Sequence, residues 1–471
     1  MNHSSFIHSE LHIKRERLID SYTFYCYNAK IIEKAEKKEI QYQAQYDPVT
    51  LTHLKNFYNY EKEVQSLLEK YVLKQKDFCT FNQLYKYLSN DLYQQLDIPF
   101  KILIPILLRV LNLEKLGCLI IDDQIDEIYL DSSQKTIYLD HSRYGRCTTT
   151  ISLSKSEIES FIQRVALEND FSLNHTNPTM KSDFVSSLFH TRVTVDIPPL
   201  IIDDIHLDIR KFRSTKLKIY DLIKIGSITL TQAILIILLI KNQISISIIG
   251  PPNSGKTTLQ NALIEYIPSH LRLLSVEDVL ESTETRKGHR VRFRLGYDPN
   301  DAMMFSKSLE IQKILHRSPD FINLGELSTK SHFTAYLNVL SVGVPSIQTI
   351  HGRNPEFLFS RLRDIYNIPL ELLKSSFPHI FIELDVIWID NMKKRFVQRI
   401  AELTDTGEII ILHDNDIQSF ISQPNSESKI FTLKSLIKRN QIKLNDIATH
   451  LNKIVLELCD NQIGTIEEII I

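Results

Sequence analysis

Glycine is scarce in this chain, 12 residues in 471. A sequence so sparing with glycine keeps it where only glycine fits the backbone, and Gly250, Gly255, Gly325, Gly343 and Gly352 all fall in or beside the segments singled out below. Cysteine is scarce as well: Cys26, Cys79, Cys118, Cys147 and Cys459 are odd in number, scattered and never spaced C-x-x-C. That pattern excludes a zinc ribbon and a disulfide framework, and leaves reduced, packed thiols of a cytosolic protein as the expectation. An excess of one charge sign is lacking, since 55 basic residues face 57 acidic ones for a net charge of -2, so no global basic field marks a nucleic-acid binder. Long hydrophobic runs are lacking too. The longest apolar stretch, Ala233 to Ile240, is far shorter than the roughly 20 residues that span a bilayer, and no basic segment followed by an apolar core opens the chain, so no secretory signal is expected. Any action at a membrane is expected from its surface. What remains is ordinary globular composition, 43% hydrophobic and 24% charged, in a length that suggests several domains.

The densest signal lies mid-chain. Ile244-Ser245-Ile246-Ser247-Ile248-Ile249 reads as a strand, and Gly250, Pro251, Pro252, Asn253, Ser254, Gly255, Lys256, Thr257 and Thr258 form a G-x-x-x-x-G-K-T-T loop. Leu259, Ala262, Leu263, Tyr266 and Ile267 then recur at helical spacing before Pro268. Strand, loop and helix in that order point successive backbone N–H groups and a positive helix N-terminus at one spot, which suits a polyphosphate. In such a loop Lys256 reaches the β- and γ-phosphates and the Thr257 hydroxyl completes a magnesium shell, so ATP and Mg2+ are the expected ligands.

Around this loop the chain divides by pattern. Residues 1–98 read as an accessory segment, with a hairpin through Tyr22–Tyr27 and Ile40–Tyr46 followed by amphipathic helices. Residues 99–212 mix a helix at Ile102 to Leu113, strands at Glu127–Leu130 and Thr136–Leu139, a helix from Ser154 to Glu168, and basic strands at Arg192–Val195 and Leu207–Phe212, giving an α+β domain. Residues 213–219 are a short hinge, and residues 220–471 alternate strand and helix, an α/β pattern for a mainly parallel sheet wrapped by helices.

Three segments behind the loop end in candidate chemistry. Leu271–Val276 delivers Glu277, Asp278 and Glu281; Phe321–Leu324 delivers Gly325 and Glu326; Ser346–Ile350 delivers His351. In doubly wound sheets the carboxyl ends of strands are where ligands bind. Acidic strand ends there suit metal coordination and the positioning of an attacking water, and a histidine can hydrogen-bond a γ-phosphate. Taken singly, Glu277 or Glu326 reads as an exposed carboxylate and His351 as a satisfied surface histidine; it is the order behind the loop that favours function.

The order Gly250–Thr258, Glu277–Glu281, Pro319–Glu326 and Thr349–Gly352 resembles the Walker A, aspartate box, Walker B and histidine box of the type II/IV secretion ATPases. Leu116-Gly117 through Ile128 and Leu207–Phe212 look most like the archaeal branch that drives pilus and archaellum assembly. The resemblance implies a RecA-like P-loop NTPase domain after a smaller α+β domain, assembled as a homo-oligomer, a hexameric ring, at the inner face of the cell membrane. The implied partner is a polytopic membrane platform protein, with pilin-like substrates served indirectly. By position it makes Lys256 and Thr257 ligands of phosphate and magnesium, Glu277, Asp278 and Glu281 residues that order metal and water, and Glu326 the carboxylate nearest the attacking water. It makes His351 the γ-phosphate sensor, and Arg192 and Arg210 arginines that approach nucleotide when domains close.

Two positions depart from that pattern. The arginine that usually follows Gly-Glu-hydrophobic is Ser328 here, with Lys330 two residues on as a substitute cation, and the usual Thr-Gly-His is Val342-Gly343-Val344. Both lie around the γ-phosphate end of the site. A nucleotide-gated scaffold without appreciable hydrolysis, and a nucleic-acid motor of the same fold, are the alternative readings. The second has only one concentrated basic cluster, Arg286–Arg294, where Arg290, Arg292 and Arg294 share one strand face; a subunit-interface or phosphate-facing role fits that cluster better, because overall charge gives nucleic acid no support.

Overall fold

Alternating β-branched, aromatic and polar residues build the first part of the chain into strands, and continuous apolar runs build the second part into buried ones. A computed structural model describes residues 16–34, 39–48, 50–51, 58–74, 79–92, 100–133, 136–212, 217–277, 288–294, 306–369, 371–373, 380–389, 392–403 and 409–412. The chain forms two compact units, residues 1–214 with 390–393, and residues 215–389 with 394–471.

The first unit carries nine strands, β1 (Glu16–Phe24), β2 (Tyr27–Lys34), β3 (Glu39–Tyr46), β4 (Ile125–Leu130), β5 (Tyr138–His141), β6 (Gly145–Thr149), β7 (Thr179–Val185), β8 (His190–Asp196) and β9 (His206–Phe212). They make one sheet in the order β1-β2-β3-β6-β5-β4-β9-β8-β7. The single hairpin expected near the start is a three-stranded meander instead. The Tyr22–Tyr27 alternation is split by a tight turn at Tyr25, whose φ is 46°, and a period-two pattern cannot register a two-residue turn that lacks glycine or asparagine. The meander joins the sheet through a short parallel contact, Gln41 opposite Thr148 and Tyr42 opposite Thr149. Asp122, fully buried, accepts hydrogen bonds from the Tyr22 and Tyr42 hydroxyls, both 2.7 Å, and so ties β1 and β3 to the domain behind them. The helix Lys155–Glu168 covers the sheet with Ile158, Phe161, Ile162, Val165 and Ala166, and opens on a capping box between Ser154 and Glu157.

The second unit carries β10 (Ile246–Gly250), β11 (Leu273–Glu277), β12 (Arg290–Arg294), β13 (Phe321–Leu327), β14 (Ser346–His351), β15 (Ile380–Ile389), β16 (Met392–Leu403) and β17 (Ile409–Leu412). Their order is β12-β11-β13-β14-β10-β15-β16-β17. The neighbours β12, β11, β13, β14, β10 and β15 pair in parallel, and β16 with β17 antiparallel. Successive residues feed opposite cores: Ile246, Ile248, Leu273 and Phe321 pack in one, and Ile249, Leu274, Ile322 and Leu324 in the other. The apolar run Ala233–Ile240 is the body of the helix Leu230–Lys241, buried on every side in the first of these cores. No helix among the described residues is long and apolar enough to cross a membrane. The four described cysteines, Cys26, Cys79, Cys118 and Cys147, are buried and form no disulfide among the described residues; Cys459 lies outside the described residues.

Candidate functional site

Four parallel strands, β10, β11, β13 and β14, end along one sheet edge and carry the loop, Glu277, Glu326 and His351. The loop after β10 turns through Asn253 at φ 57° and Gly255 at φ 92°, and the helix Lys256–Ile264 starts at once. Gly255 is the cap, without a side-chain capping bond, so the first N–H groups of this helix face the loop interior. A side chain at Gly250 would meet the Leu384 carbonyl at 2.7 Å and the Ser254 hydroxyl at 2.8 Å. Arg395, on β16, donates to the Asn253 carbonyl at 2.8 Å and braces the outer wall of the loop.

Lys256 is 6% exposed, and its ammonium donates to the carbonyls of Gly250 at 3.1 Å and Pro251 at 2.7 Å. The same nitrogen lies 3.2 Å from His351 Nδ1, and His351 Nε2 lies 3.3 Å from Glu326 Oε2. An ammonium can only donate, so Nδ1 accepts and the imidazole proton sits on Nε2, where it donates to Glu326. Lys256, His351 and Glu326 thus form one continuous cation–imidazole–carboxylate chain at the mouth of the loop. The His351 hydrogen bond, with help from the nearby positive charges of Lys256 and Lys307, holds the Glu326 carboxyl below its ordinary range against the opposing effect of burial. Arg361 fixes His351 from behind by donating to its carbonyl at 3.0 Å.

Glu326 faces the loop because β13 is bulged. Asn323 pairs with Ile347 and Glu326 with Thr349, so three residues of β13 span two of β14. The extra residue is accommodated at Gly325, whose φ is 58°. Without the bulge Glu326 would share a face with Ile322 and Leu324 and point into the second core. With it, Glu326 joins Asn323 on the loop side, an instance of a bulge that re-aims a functional side chain. The Thr349 hydroxyl, donating to the Gly325 carbonyl at 3.3 Å, pins the distortion.

Glu277 is 4% exposed and reaches this site through others. Asn323 donates to Glu277 at 3.2 Å and to Ser275 at 3.3 Å, and accepts from Gln260 at 2.8 Å and from the Gly325 N–H at 3.3 Å. That saturates the amide. Arg290 approaches Glu277 at 3.8 Å with a side chain only 9% exposed, so the first arginine of the basic strand is committed inside the fold. Asp278 and Glu281, expected at magnesium, lie outside the described residues. Among the described residues no group of three or more His, Cys, Asp or Glu is placed to hold a metal ion.

Lys330 is exposed at the start of its helix, and the lysine beside Glu326 is Lys307, at the start of the helix Lys307–Lys313, which donates to the Glu326 carbonyl at 2.5 Å. Sequence reasoning missed Lys307, Arg395, Asn323 and Gln260. Only the last two left a signal, as amides inside an apolar strand and on the apolar stripe of a helix. In the first unit Arg192 and Arg210 are cross-strand neighbours. They sit in a row of charges, with Arg192 3.6 Å from Asp183 and Arg210 3.7 Å from Glu127.

The sequence profile of the type II/IV secretion system proteins matches residues 120–387. Protein VirB11 of Rhizobium radiobacter is 38% identical over 138 residues, 29% of this chain and 37% of that relative. The uncharacterized protein MJ1287 of Methanocaldococcus jannaschii is 29% identical over 205 residues, 41% of this chain and 72% of that one. The chain thus spans little more than a third of the VirB11 relative's length and most of the archaeal one. Among solved structures, the VirB11 ATPase of the Brucella suis type IV secretion system, in complex with sulphate, is similar at 21% identity over 62% of this chain and 93% of that one, with a TM-score of 0.31. The pilus retraction motor PilT with bound ADP is similar at 15% identity over 75% and 95%, with a TM-score of 0.45. With the profile matched over more than half of its length, the chain belongs to the type II/IV secretion system protein family.

Proposed function

We propose that this protein binds Mg-ATP at the 250–258 loop and hydrolyses it as a homo-oligomeric, hexameric motor for assembly of a type IV pilus-like or archaellum filament, or for secretion. It works from the cytoplasmic face of the membrane, through a polytopic platform protein. The observation that carries the reading is the Lys256–His351–Glu326 chain, which sets a cation, a hydrogen-bonding imidazole and an ionised carboxylate in contact at the mouth of a phosphate-binding loop.

The residues present fit a triphosphate. The helix N-terminus at Gly255 offers backbone donors, the buried Ser254 hydroxyl has no hydrogen-bond partner among the described residues, and Lys256 holds its charge against the loop. Thr257, with Asp278 and Glu281, would hold magnesium, which would neutralise charge at the phosphates. Glu326 orients the attacking water and accepts its proton, while the His351 Nε2–H, in turning from Glu326 to the γ-phosphate, couples the presence of that phosphate to the carboxylate. Glu277, held by Asn323, keeps the carboxylate edge in place. Because Ser328 stands where the family carries arginine, Arg192 and Arg210, from this or a neighbouring chain, supply positive charge to the transferring phosphoryl group.

Phosphate release by the purified chain with ATP, with and without magnesium, is the test. Lys256→Ala should abolish nucleotide binding while leaving the protein folded, since it removes the main cation of the loop. Unchanged ATP affinity in that variant overturns the site, and tight binding by the parent with no phosphate release leaves the nucleotide-gated scaffold in its place.

A further inference from the structure

Charged side chains are seldom buried without a task, because removing an ammonium from water costs several kcal/mol. Lys307 is 4% exposed. It sits at the first residue of the helix Lys307–Lys313, and its ammonium is spent on the main-chain carbonyl of Glu326, 2.5 Å away. That carbonyl belongs to the bulged end of β13, directly after Gly325. Helix start and catalytic strand end are thereby joined by a charge-assisted bond.

We infer that Lys307 is a positioning residue for the hydrolytic step, holding the bulged end of β13 so that the Glu326 carboxylate stays aimed at His351. The inference rests on the hydrolytic reading of the Glu326 site. Two consequences follow from where the ammonium lies. As a donor it fixes the backbone on which the carboxylate is mounted, and a small error in the placement of a catalytic group is costly in rate. As a cation it favours the ionised carboxylate, acting on Glu326 together with His351 from β14 and Lys256 from the loop helix. The position two residues after Glu326 holds the neutral Ser328, so the cation comes from a neighbouring helix rather than from the strand itself.

Lys307→Gln and Lys307→Met separate these two contributions. Glutamine keeps a donor and deletes the charge, and methionine deletes both. In the full-length chain, Lys307→Gln should lower kcat about tenfold with the KM for ATP changed less than about threefold, and should move the acid limb of the kcat profile to higher pH. Lys307→Met should lose more kcat. An unchanged kcat and acid limb in Lys307→Gln overturns the inference, as does a fall in kcat with no movement of the acid limb, which would mark a merely structural lysine. A parent that releases no phosphate defeats the hydrolytic reading instead, and a double-mutant cycle then judges Lys307 alone. Unfolding free energies of Lys307→Met, Gly325→Ala and the double variant should be non-additive if the ammonium holds the bulged end of β13, and additive values overturn it.

Discussion

At the residue scale the chemistry turns on protonation. Glu326 is held below its ordinary value near 4.5 by the His351 hydrogen bond first, and by the charges of Lys256 and Lys307 after it. A carboxyl with a depressed folded value contributes its interaction above the unfolded value and loses it as pH falls through the folded one. Turnover should therefore hold across neutral pH and fall only below the usual glutamate range, as a pH series of phosphate release will show. Glu326→Gln keeps the shape and deletes the charge. It should retain nucleotide and lose turnover by about 10² or more, the usual worth of a positioned acid–base group. If Glu326→Gln turns over normally while Glu277→Gln is dead, the working carboxylate sits on β11.

At the element scale the decisive feature is the bulge of β13. Gly325 adopts φ 58°, and an added Cβ there meets nothing closer than the Val276 carbonyl at 3.5 Å. The obstacle to a side chain is the backbone conformation alone. Gly325→Ala should then cost about 1–2 kcal/mol in unfolding free energy, the strain of a left-handed residue. Any relaxation of that strain straightens β13 and turns Glu326 away from His351, so kcat should fall further than the stability loss explains. Thermal unfolding and steady-state kinetics on the same preparation separate the two. Equal turnover with the expected stability loss would show that the bulge does not aim the carboxylate.

At the scale of the whole molecule the question is where the remaining positive charge comes from. In the first unit Arg192 and Arg210 are set among carboxylates, Asp183 beside one and Glu127 beside the other. The Arg210 side chain is 51% exposed, so its ion pair is worth little and is readily exchanged for another anion. An arginine brought to a transferring phosphoryl group can be worth about 10³ to 10⁵ in rate. If the motor works as a ring, turnover per chain should rise with protein concentration as rings form, and Arg210→Ala should lower it more than it weakens ATP binding. A monomer by light scattering with full, concentration-independent activity would sink the oligomeric motor, and so would an Arg192/Arg210 double substitution with unchanged turnover.

The loop, the start of the helix behind it and the strands that end at Glu277, Glu326 and His351 were legible in the chain, because they rest on local rules, apolar periodicity and a glycine pair at fixed spacing; the helix ends at Ile264, short of the stop expected at Pro268. The sequence by itself also determined the parallel character of the second sheet, since strand and helix alternate along the chain. Tertiary structure alone decided which of these ends meet. Strand order puts β14 between β10 and β13, so His351 touches both Lys256 and Glu326, and no local pattern encodes strand order. The bulge at Gly325 reverses the side on which Glu326 lies, because one extra residue flips a period of two. Lys307 and Arg395 come to the site from distant segments as solitary cations, and a lone lysine or arginine in a sequence carries no mark of the carbonyl it will find.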